Sequence, residues 1–278
     1  MRATDIRRAV PREAFVPDTI WVRREDGWAV PLRRQDDPEE WRRLVALDDE
    51  PVITQVDDGA DGKGTWPTSS GSSPEIMAEM IDALDLRKGM RVLEIGTGTG
   101  YNAAVLAWRV GTENVTTLEI DATIAEQARR ALDRAGYPVQ VVVGDGTVGH
   151  PENAPYDRII VTAAAYEIPY AWVAQTKPGG MILVPWAPTF HPDWPLCRLT
   201  VGSDGHAEGR FIGPSAFMPL RGQRLPQSVM HEAEERWVKA GKPHYSRYGV
   251  TVTPEGQSIW LDSPANPIAA VPWKRHGR

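Results

Sequence analysis

The sequence predicts an α/β fold, a parallel sheet with helices on both faces, closed by antiparallel strands. Three observations predict it. Residues 89–186 alternate apolar strand-like runs with helical segments, the pattern of a parallel sheet with crossover helices. Within them, Val92-Leu93-Glu94-Ile95-Gly96-Thr97-Gly98-Thr99-Gly100 reads as a buried strand that breaks into a glycine-rich turn, with a helix from 101 to 109 behind it. Further on, 196–201 and 211–219 flank Gly202-Ser203-Asp204-Gly205, as the two strands of an antiparallel pair do.

The elements follow in chain order. Residues 1–20 open with a short amphipathic helix and the run Ala9-Val10-Pro11-Arg12-Glu13-Ala14-Phe15-Val16-Pro17. Ile20-Trp21-Val22-Arg23-Arg24 and Trp28-Ala29-Val30-Pro31-Leu32 flank Glu25-Asp26-Gly27, which predicts a β-hairpin. Residues 36–46 read as a short helix carrying Trp41, and 56–73, rich in Gly, Asp, Ser and Thr, as a loop. Ser73 before Pro74 reads as an N-cap with proline at the first helical position, and Ile76, Met80, Ile81 and Leu84 share a face of that helix. Strands follow at 115–120, 141–143 and 156–162; Lys177-Pro178-Gly179-Gly180 reads as a turn and 181–185 as the next strand. The last segment holds a helix around 231–240 and two β-like runs, 248–253 and 258–261, about the turn Pro254-Glu255-Gly256.

The strand ends carry the chemistry. Val115-Thr116-Thr117-Leu118-Glu119-Ile120 brings an acid to the end of the second strand. Its distance from the glycine turn, about 20 residues, is that at which a carboxylate accepts hydrogen bonds from a ribose diol. The third strand ends in Gly144-Asp145-Gly146, so three strand ends describe one wall of a nucleoside pocket. A dinucleotide site reads Gly-x-Gly-x-x-Gly, with the helix N-terminus aimed at a pyrophosphate. This chain reads Glu-x-Gly-x-Gly-x-Gly, and Glu94 would repel a pyrophosphate but suit a cationic or amino-bearing ligand. The motif resembles the S-adenosyl-L-methionine site of class I, Rossmann-like methyltransferases. The resemblance implies that Glu119, with Ile120 beside it, holds the ribose and that Asp145 and Gly146 face the adenine. Glu94, Gly96, Thr97, Gly98 and Gly100 would lie against the methionine portion, and S-adenosyl-L-homocysteine would be the product. A dinucleotide-binding protein and a fold that has lost its cofactor are the alternatives.

Motifs beyond the turn narrow the family. Ala9-Val10-Pro11-Arg12-Glu13-Ala14-Phe15-Val16-Pro17 is similar to the opening signature of protein-L-isoaspartate O-methyltransferases. Gly144-Asp145-Gly146, Ala154-Pro155-Tyr156-Asp157-Arg158-Ile159, Thr162-Ala163-Ala164-Ala165, Ile168-Pro169, Gln175-Thr176-Lys177-Pro178-Gly179-Gly180 and Phe217-Met218-Pro219-Leu220-Arg221-Gly222 follow in that family's order. In those enzymes a serine two residues before a proline binds the substrate carboxylate. The resemblance gives that role to Ser72, with Ser70, Ser73 and the backbone of Thr162, Ala163 and Ala164 around the acceptor; Ser73 mainly caps its helix. The family run has Thr-Ile where this chain has Ser70-Gly71, and a glycine there loosens the substrate loop.

The chain also carries additions. Residues 20–65 and the tail resemble actinobacterial isoaspartate-methyltransferase homologues associated with ribosomally made, modified peptides, including graspetides cyclised by ATP-grasp ligases. This divides the chain into an N-terminal helix, hairpin and insertion (1–66), a methyltransferase core (67–222) and an extension packing on it (223–278). It implies methylation of an aspartate side chain in a peptide macrocyclised by an ATP-grasp ligase, the ester then closing to an aspartimide. General isoaspartate repair is the alternative. A binding or chaperone-like module and a small-molecule methyltransferase are weaker ones, set against the intact turn motif and the family-specific segments.

Composition sets the outer bounds. At 278 residues, 41% hydrophobic and 24% charged, the chain matches a globular α/β protein. A net charge of −6 argues against sequence-independent nucleic-acid binding. The charged N-terminus and the lack of a long apolar run predict a cytoplasmic protein without signal peptide or membrane span. The one cysteine, Cys197, lies in an apolar strand and reads as core. His150, His191, His206, His231, His244 and His276 lack ligand spacing, so no metal is expected, and His191 reads as a loop residue. Trp21, Trp28, Trp41, Trp66, Trp186 and Trp194 read either as a peptide-binding wall or as packing; Arg33, Arg34, Arg42 and Arg43 read either as a magnet for acidic peptide or as a solvated face.

Overall fold

A computed structural model describes residues 2–269; Met1 and 270–278, with His276 among them, lie outside the described residues. The chain divides into two units, 1–146 and 147–278.

In the first unit, helix α1 (Ala3–Ala9) leads through a 3-10 turn at Arg12–Ala14 to strands β1 (Thr19–Arg23) and β2 (Ala29–Arg33). These form the expected hairpin, with Ile20 opposite Leu32. Asp26 Oδ1 accepts from the Trp28 amide at 3.1 Å to shape its turn. Helix α2 (Pro38–Val45) starts at Asp37, whose side chain accepts from the Glu40 amide at 3.0 Å. Its Trp41 and Val45 pack on Val16, Ile20 and Val52 as a small apolar core. Strands β3 (Val52–Val56) and β4 (Pro67–Gly71) complete a four-stranded sheet in the order β2-β1-β3-β4. The loop expected over 56–73 is therefore interrupted by a strand. Its composition signals a loop, but β3 supplies the ladder, with Val52 opposite Gly71 and Ile53 opposite Ser70, and pairing overrides weak strand propensity.

Helix α3 (Pro74–Ala83) begins as expected, with Ser73 Oγ accepting from the Ile76 amide at 3.3 Å and Pro74 in its first turn. Its buried face centres on Met77, Met80, Ile81 and Leu84, and Ile76 is only partly covered. Then come β5 (Val92–Ile95), α4 (Tyr101–Val110), β6 (Val115–Glu119), α5 (Ala122–Arg134) and β7 (Gln140–Val143). The strands are parallel in the order β5-β6-β7. Every residue of β5 and β6 is buried, as in strands covered on both faces.

The second unit opens with β8 (Tyr156–Val161), α6 (Tyr170–Ala174) and β9 (Thr176–Pro185), a parallel pair joined by a crossover helix. The turn expected at residues 177–180 lies inside β9. The β8–β9 register shifts between Tyr156 and Arg158, and Gly179 at φ +77° absorbs the irregularity without ending the strand. Strands β10 (Pro195–Val201) and β11 (Ala207–Pro214) form the expected antiparallel pair. The second strand begins at 207 and ends at 214, in place of 211–219, because the Gly202 amide closes the turn onto His206 O at 2.7 Å. Helix α7 (Gln227–Lys239) starts directly after Pro226, earlier than the expected 231. Strands β12 (Tyr248–Thr253), β13 (Gly256–Leu261) and the short β14 (Pro267–Ile268) continue the ladder, with β12 antiparallel to β11.

An aromatic cluster fills this unit. Phe190 lies 4.8 Å from both Phe211 and Tyr248 between ring centroids, and Trp186 lies 5.5 Å from Phe211. His191 lies in a loop, as expected, but is buried beside Trp237, and its Nδ1 accepts from the Asp193 amide at 3.2 Å. Burial holds its pKa below the usual imidazole value. Cys197 is fully buried and desolvation pushes its thiol pKa up. Trp41 and Trp186 are fully buried packing residues, whereas Trp66 remains exposed. Arg33, Arg34 and Arg43 each pair with a carboxylate, those of Asp36, Glu13 and Glu40. No described helix is long and apolar enough to cross a membrane, and no described group of three or more His, Cys, Asp or Glu could hold a metal.

Candidate cofactor and acceptor site

The glycine turn is fastened to β6 by three of its amides. The Gly96 and Thr97 amides both donate to Leu118 O, at 2.9 and 3.1 Å. The Gly98 amide donates to Glu119 Oε2 at 2.9 Å. Gly98 and Gly100 have φ of +53° and +84°, and a Cβ on Gly100 would meet Leu132 Cγ at 3.1 Å. The turn therefore needs glycine both for its dihedrals and for the close approach of α5.

A buried polar chain lies beneath the turn. Asn102 Nδ2 donates to Glu94 Oε1 and Thr117 Oγ1 donates to Glu94 Oε2, both at 2.6 Å, and the Thr97 and Thr117 hydroxyls are 2.7 Å apart. Glu94 is wholly buried, with both oxygens engaged inside the protein, so it braces the turn and presents no free carboxylate. Desolvation raises its pKa to about 7 against the lowering effect of the Thr117 and Asn102 hydrogen bonds. Sequence reasoning does not single out Thr117 or Asn102. A signal for the first exists, since a threonine in the middle of a fully buried strand must find a hydrogen-bond partner.

Glu119 closes β6. Its second oxygen accepts from the Asp121 amide at 3.1 Å, and desolvation raises its pKa. Ile120, the next residue, is 43% exposed, an apolar side chain held open at the end of a strand. Asp145 is exposed in the loop after β7, and Gly146 is buried where a Cβ would clash with Ile95 Cγ2 at 2.4 Å.

The structure brings the serine loop to this turn. Ser72 and Ser73 form the joint between β4 and α3. A Cβ on Gly98 would stand 3.1 Å from Ser70 O, and one on Gly71 would stand 3.5 Å from Thr99 Oγ1. A cavity of about 410 Å³ opens here, lined by Phe15, Thr54, Gln55, Ser69, Gly98 and Thr99 among others. The inserted sheet and the glycine turn thus share one space.

Thr162, Ala163 and Ala164 belong to the second unit, at the end of β8. The Ala164 amide donates to Met218 O and its carbonyl accepts from the Leu220 amide, both at 2.8 Å. The following bend is held by two glutamines. Gln223 Oε1 accepts from the Tyr166 and Glu167 amides at 2.8 and 3.0 Å, and its Nε2 donates to Glu167 O at 2.8 Å. Gln257 Oε1 accepts from the Ile168 amide at 2.9 Å while its Nε2 donates to Tyr166 O at 2.7 Å.

A glycine turn after the first parallel strand, an acid ending the second and an exposed acid after the third match the class I S-adenosyl-L-methionine-dependent methyltransferase fold, which the chain shares with solved relatives. A protein-L-isoaspartate O-methyltransferase structure superposes with a TM-score of 0.64 at 23% identity, over 93% of this chain and 95% of its own. A putative enzyme of the same name from Plasmodium falciparum, in complex with S-adenosyl-L-homocysteine, gives 0.57 at 16% identity, over 79% and 89%. The family model for protein-L-isoaspartate(D-aspartate) O-methyltransferase matches residues 64–225. The protein-L-isoaspartate O-methyltransferase of Hyperthermus butylicus is 37% identical over 239 residues, 80% of this chain and 83% of that one. That of Methylorubrum extorquens is 41% identical over 219 residues, 78% of each. The chain belongs to the protein-L-isoaspartate O-methyltransferase family, and S-adenosyl-L-methionine is its cofactor.

The residues present fit that cofactor. A buried carboxylate already fixed by two backbone amides, an open isoleucine beside it and an exposed aspartate one strand over suit a ribose, an adenine face and an adenine amino group. The turn that would face the methionine portion carries no side chain at Gly96, Gly98 or Gly100.

Proposed function

We propose that this protein transfers a methyl group to an aspartate-type carboxylate of a peptide. The observation that supports the reading is the close approach of Ser70 O to Gly98 and of Gly71 to Thr99, at the end of β4 next to Ser72. The cofactor supplies an electrophilic methyl on a sulfonium. Glu119 would accept from the ribose hydroxyls, Asp145 would accept from the adenine amino group, Ile120 would cover the base, and the 96–100 backbone, braced from beneath by Glu94, would hold the methionine end. Ser72 donates to one carboxylate oxygen and leaves the other to form the new C–O bond as the C–S bond breaks. The acceptor is already anionic near neutral pH, so alignment and exclusion of water suffice and no general base is required.

For the acceptor we propose an aspartate side chain in a ribosomally made peptide macrocyclised by an ATP-grasp ligase. Attack of the following amide nitrogen on the ester then expels methanol and closes an aspartimide. The added four-stranded sheet, whose Thr54, Gln55 and Ser69 line the cavity shared with the glycine turn, supports this reading. The names of the relatives favour a second reading, repair of isoaspartyl residues in many proteins. Mass spectrometry after incubation with S-adenosyl-L-methionine separates the two. The substrates are an aspartate-containing peptide macrocyclised by an ATP-grasp ligase, its linear form and an unrelated isoaspartyl peptide. Methyl ester or dehydrated product from the cyclised peptide alone supports the first. Methylation of the isoaspartyl peptide alone establishes repair, and no methylation of any of them defeats both.

A further inference from the structure

Arg12 stands in the opening signature and has no part in the chemistry above, yet it is 3% exposed. A guanidinium is taken out of water only where its N–H groups find acceptors. Here the acceptors are five backbone carbonyls from two distant stretches. Nη1 donates to Leu47 O at 2.9 Å and Val45 O at 3.4 Å. Nη2 donates to Gly71 O at 2.8 Å, Ser72 O at 3.0 Å and Glu50 O at 3.0 Å. One stretch is the end of α2 and the segment after it, inside the insertion; the other is the acceptor loop itself.

The charge is balanced only from a distance. The charged and titratable groups that act on it are Tyr101, Asp48 and Arg7, and Asp48 is already bound to Arg7 at 2.6 Å. Arg12 Nε and the buried Tyr101 hydroxyl have no hydrogen-bond partner among the described residues. Burial lowers the Arg12 pKa only to about 10, so the guanidinium keeps its charge at neutral pH. Ser72 is therefore held from behind by a cation that no carboxylate among the described residues neutralises by direct contact.

We infer that Arg12 is the positioning residue of the acceptor site: it clamps the Gly71-Ser72 backbone to the inserted 45–50 segment and so fixes the loop that meets the substrate carboxylate. The inference rests on the proposed reading of Ser72. It makes the insertion part of acceptor recognition without direct contact, and it assigns the residual positive charge to the side of an anionic acceptor. Lysine, with three N–H groups on one nitrogen, offers too few donors for the five carbonyls.

The test compares the parent enzyme with Arg12→Lys and Arg12→Met. Readouts are the acceptor KM and kcat, the affinity for S-adenosyl-L-homocysteine, and amide hydrogen exchange of the ligand-free proteins. Both variants raise the acceptor KM at least tenfold, with S-adenosyl-L-homocysteine affinity within twofold of the parent. Exchange speeds up together in 46–50 and 71–73 while β5 and β6 stay protected. An unchanged acceptor KM in a folded Arg12→Lys variant overturns the proposal, as does a loss of product affinity in step with the rise in KM. If neither variant folds, the parent decides: peptide acceptor must protect 46–50 and 71–73 together, and protection of 71–73 alone overturns the clamp. If the parent methylates no peptide, the functional reading fails by itself. The exchange comparison in Arg12→Lys still decides the clamp, since uncoupled segments refute it.

Discussion

Replacing Glu94 by glutamine isolates the buried polar chain under the cofactor turn. The substitution keeps the shape. The amide oxygen accepts from Asn102, and its Nε2 donates to the Thr117 hydroxyl, which then donates to Thr97. What disappears is a titration. The carboxyl ionises at 4.5 in an unfolded chain and at about 7 in the folded protein, where it is wholly buried. Between these values the folded state holds a proton that the unfolded state has released, so parent stability falls as pH rises through the window and is fully present only below it. At about 1.4 kcal/mol per pKa unit, the fall is about 3 kcal/mol. Urea unfolding of both proteins from pH 4.5 to 8 reads it directly, because the difference between them cancels the other titrating groups. The glutamine variant should gain about 3 kcal/mol on the parent across that range, most of it between pH 5 and 7. A difference that stays flat with pH would refute the reasoning, since it means that the carboxyl titrates as if exposed.

Other outcomes follow from the same packing. Gly100→Ala forces a Cβ against Leu132 at positive φ and should cost about 1–3 kcal/mol in urea unfolding, with the α4 far-ultraviolet signal retained in the folded state. Trp41→Ala empties the centre of the Val16, Ile20, Val45 and Val52 cluster and should cost about 3–5 kcal/mol, with hydrogen exchange in β1–β4 rising before that in β5 and β6. Cys197, fully buried with its thiol pKa pushed up, should resist iodoacetamide at pH 8 in the native protein and react fully in urea, as mass spectrometry would record.

The parallel core and its turn were legible because their signals are local. Four buried residues followed by alternating glycines leave few alternatives for the chain, and Ser73-Pro74 announces its helix in two letters. The hairpin at Asp26-Gly27 was legible for the same reason. Strand β4 was not, because Pro67-Thr68-Ser69-Ser70-Gly71 has weak strand propensity and becomes a strand through its pairing with β3. The start of β9 was hidden likewise, since Pro178-Gly179-Gly180 spells a turn unless a register shift inside a ladder absorbs it. In the candidate site Glu119 could be proposed from its spacing to the glycine turn, and the other candidate residues from the family resemblance. Its support could not, because the partners of Glu94 and Arg12 come from segments whose proximity only folding creates.

The two glutamines at the 166–168 bend bear on how freely parts of this chain can be exchanged. A bend of three residues has its amides and carbonyls answered by side chains that imitate a neighbouring strand, and a strand cannot be borrowed from one protein without its neighbour. Gln223 lies inside the span matched by the family model and Gln257 lies beyond it, on the tail. A chain trimmed at residue 225 would leave Ile168 N–H and Tyr166 C=O without these donors and acceptors, next to a bare edge of β11. The tail is thus grafted by valence as well as by packing, and any chimera between this chain and a shorter relative has to carry Gln257 across or rebuild the bend.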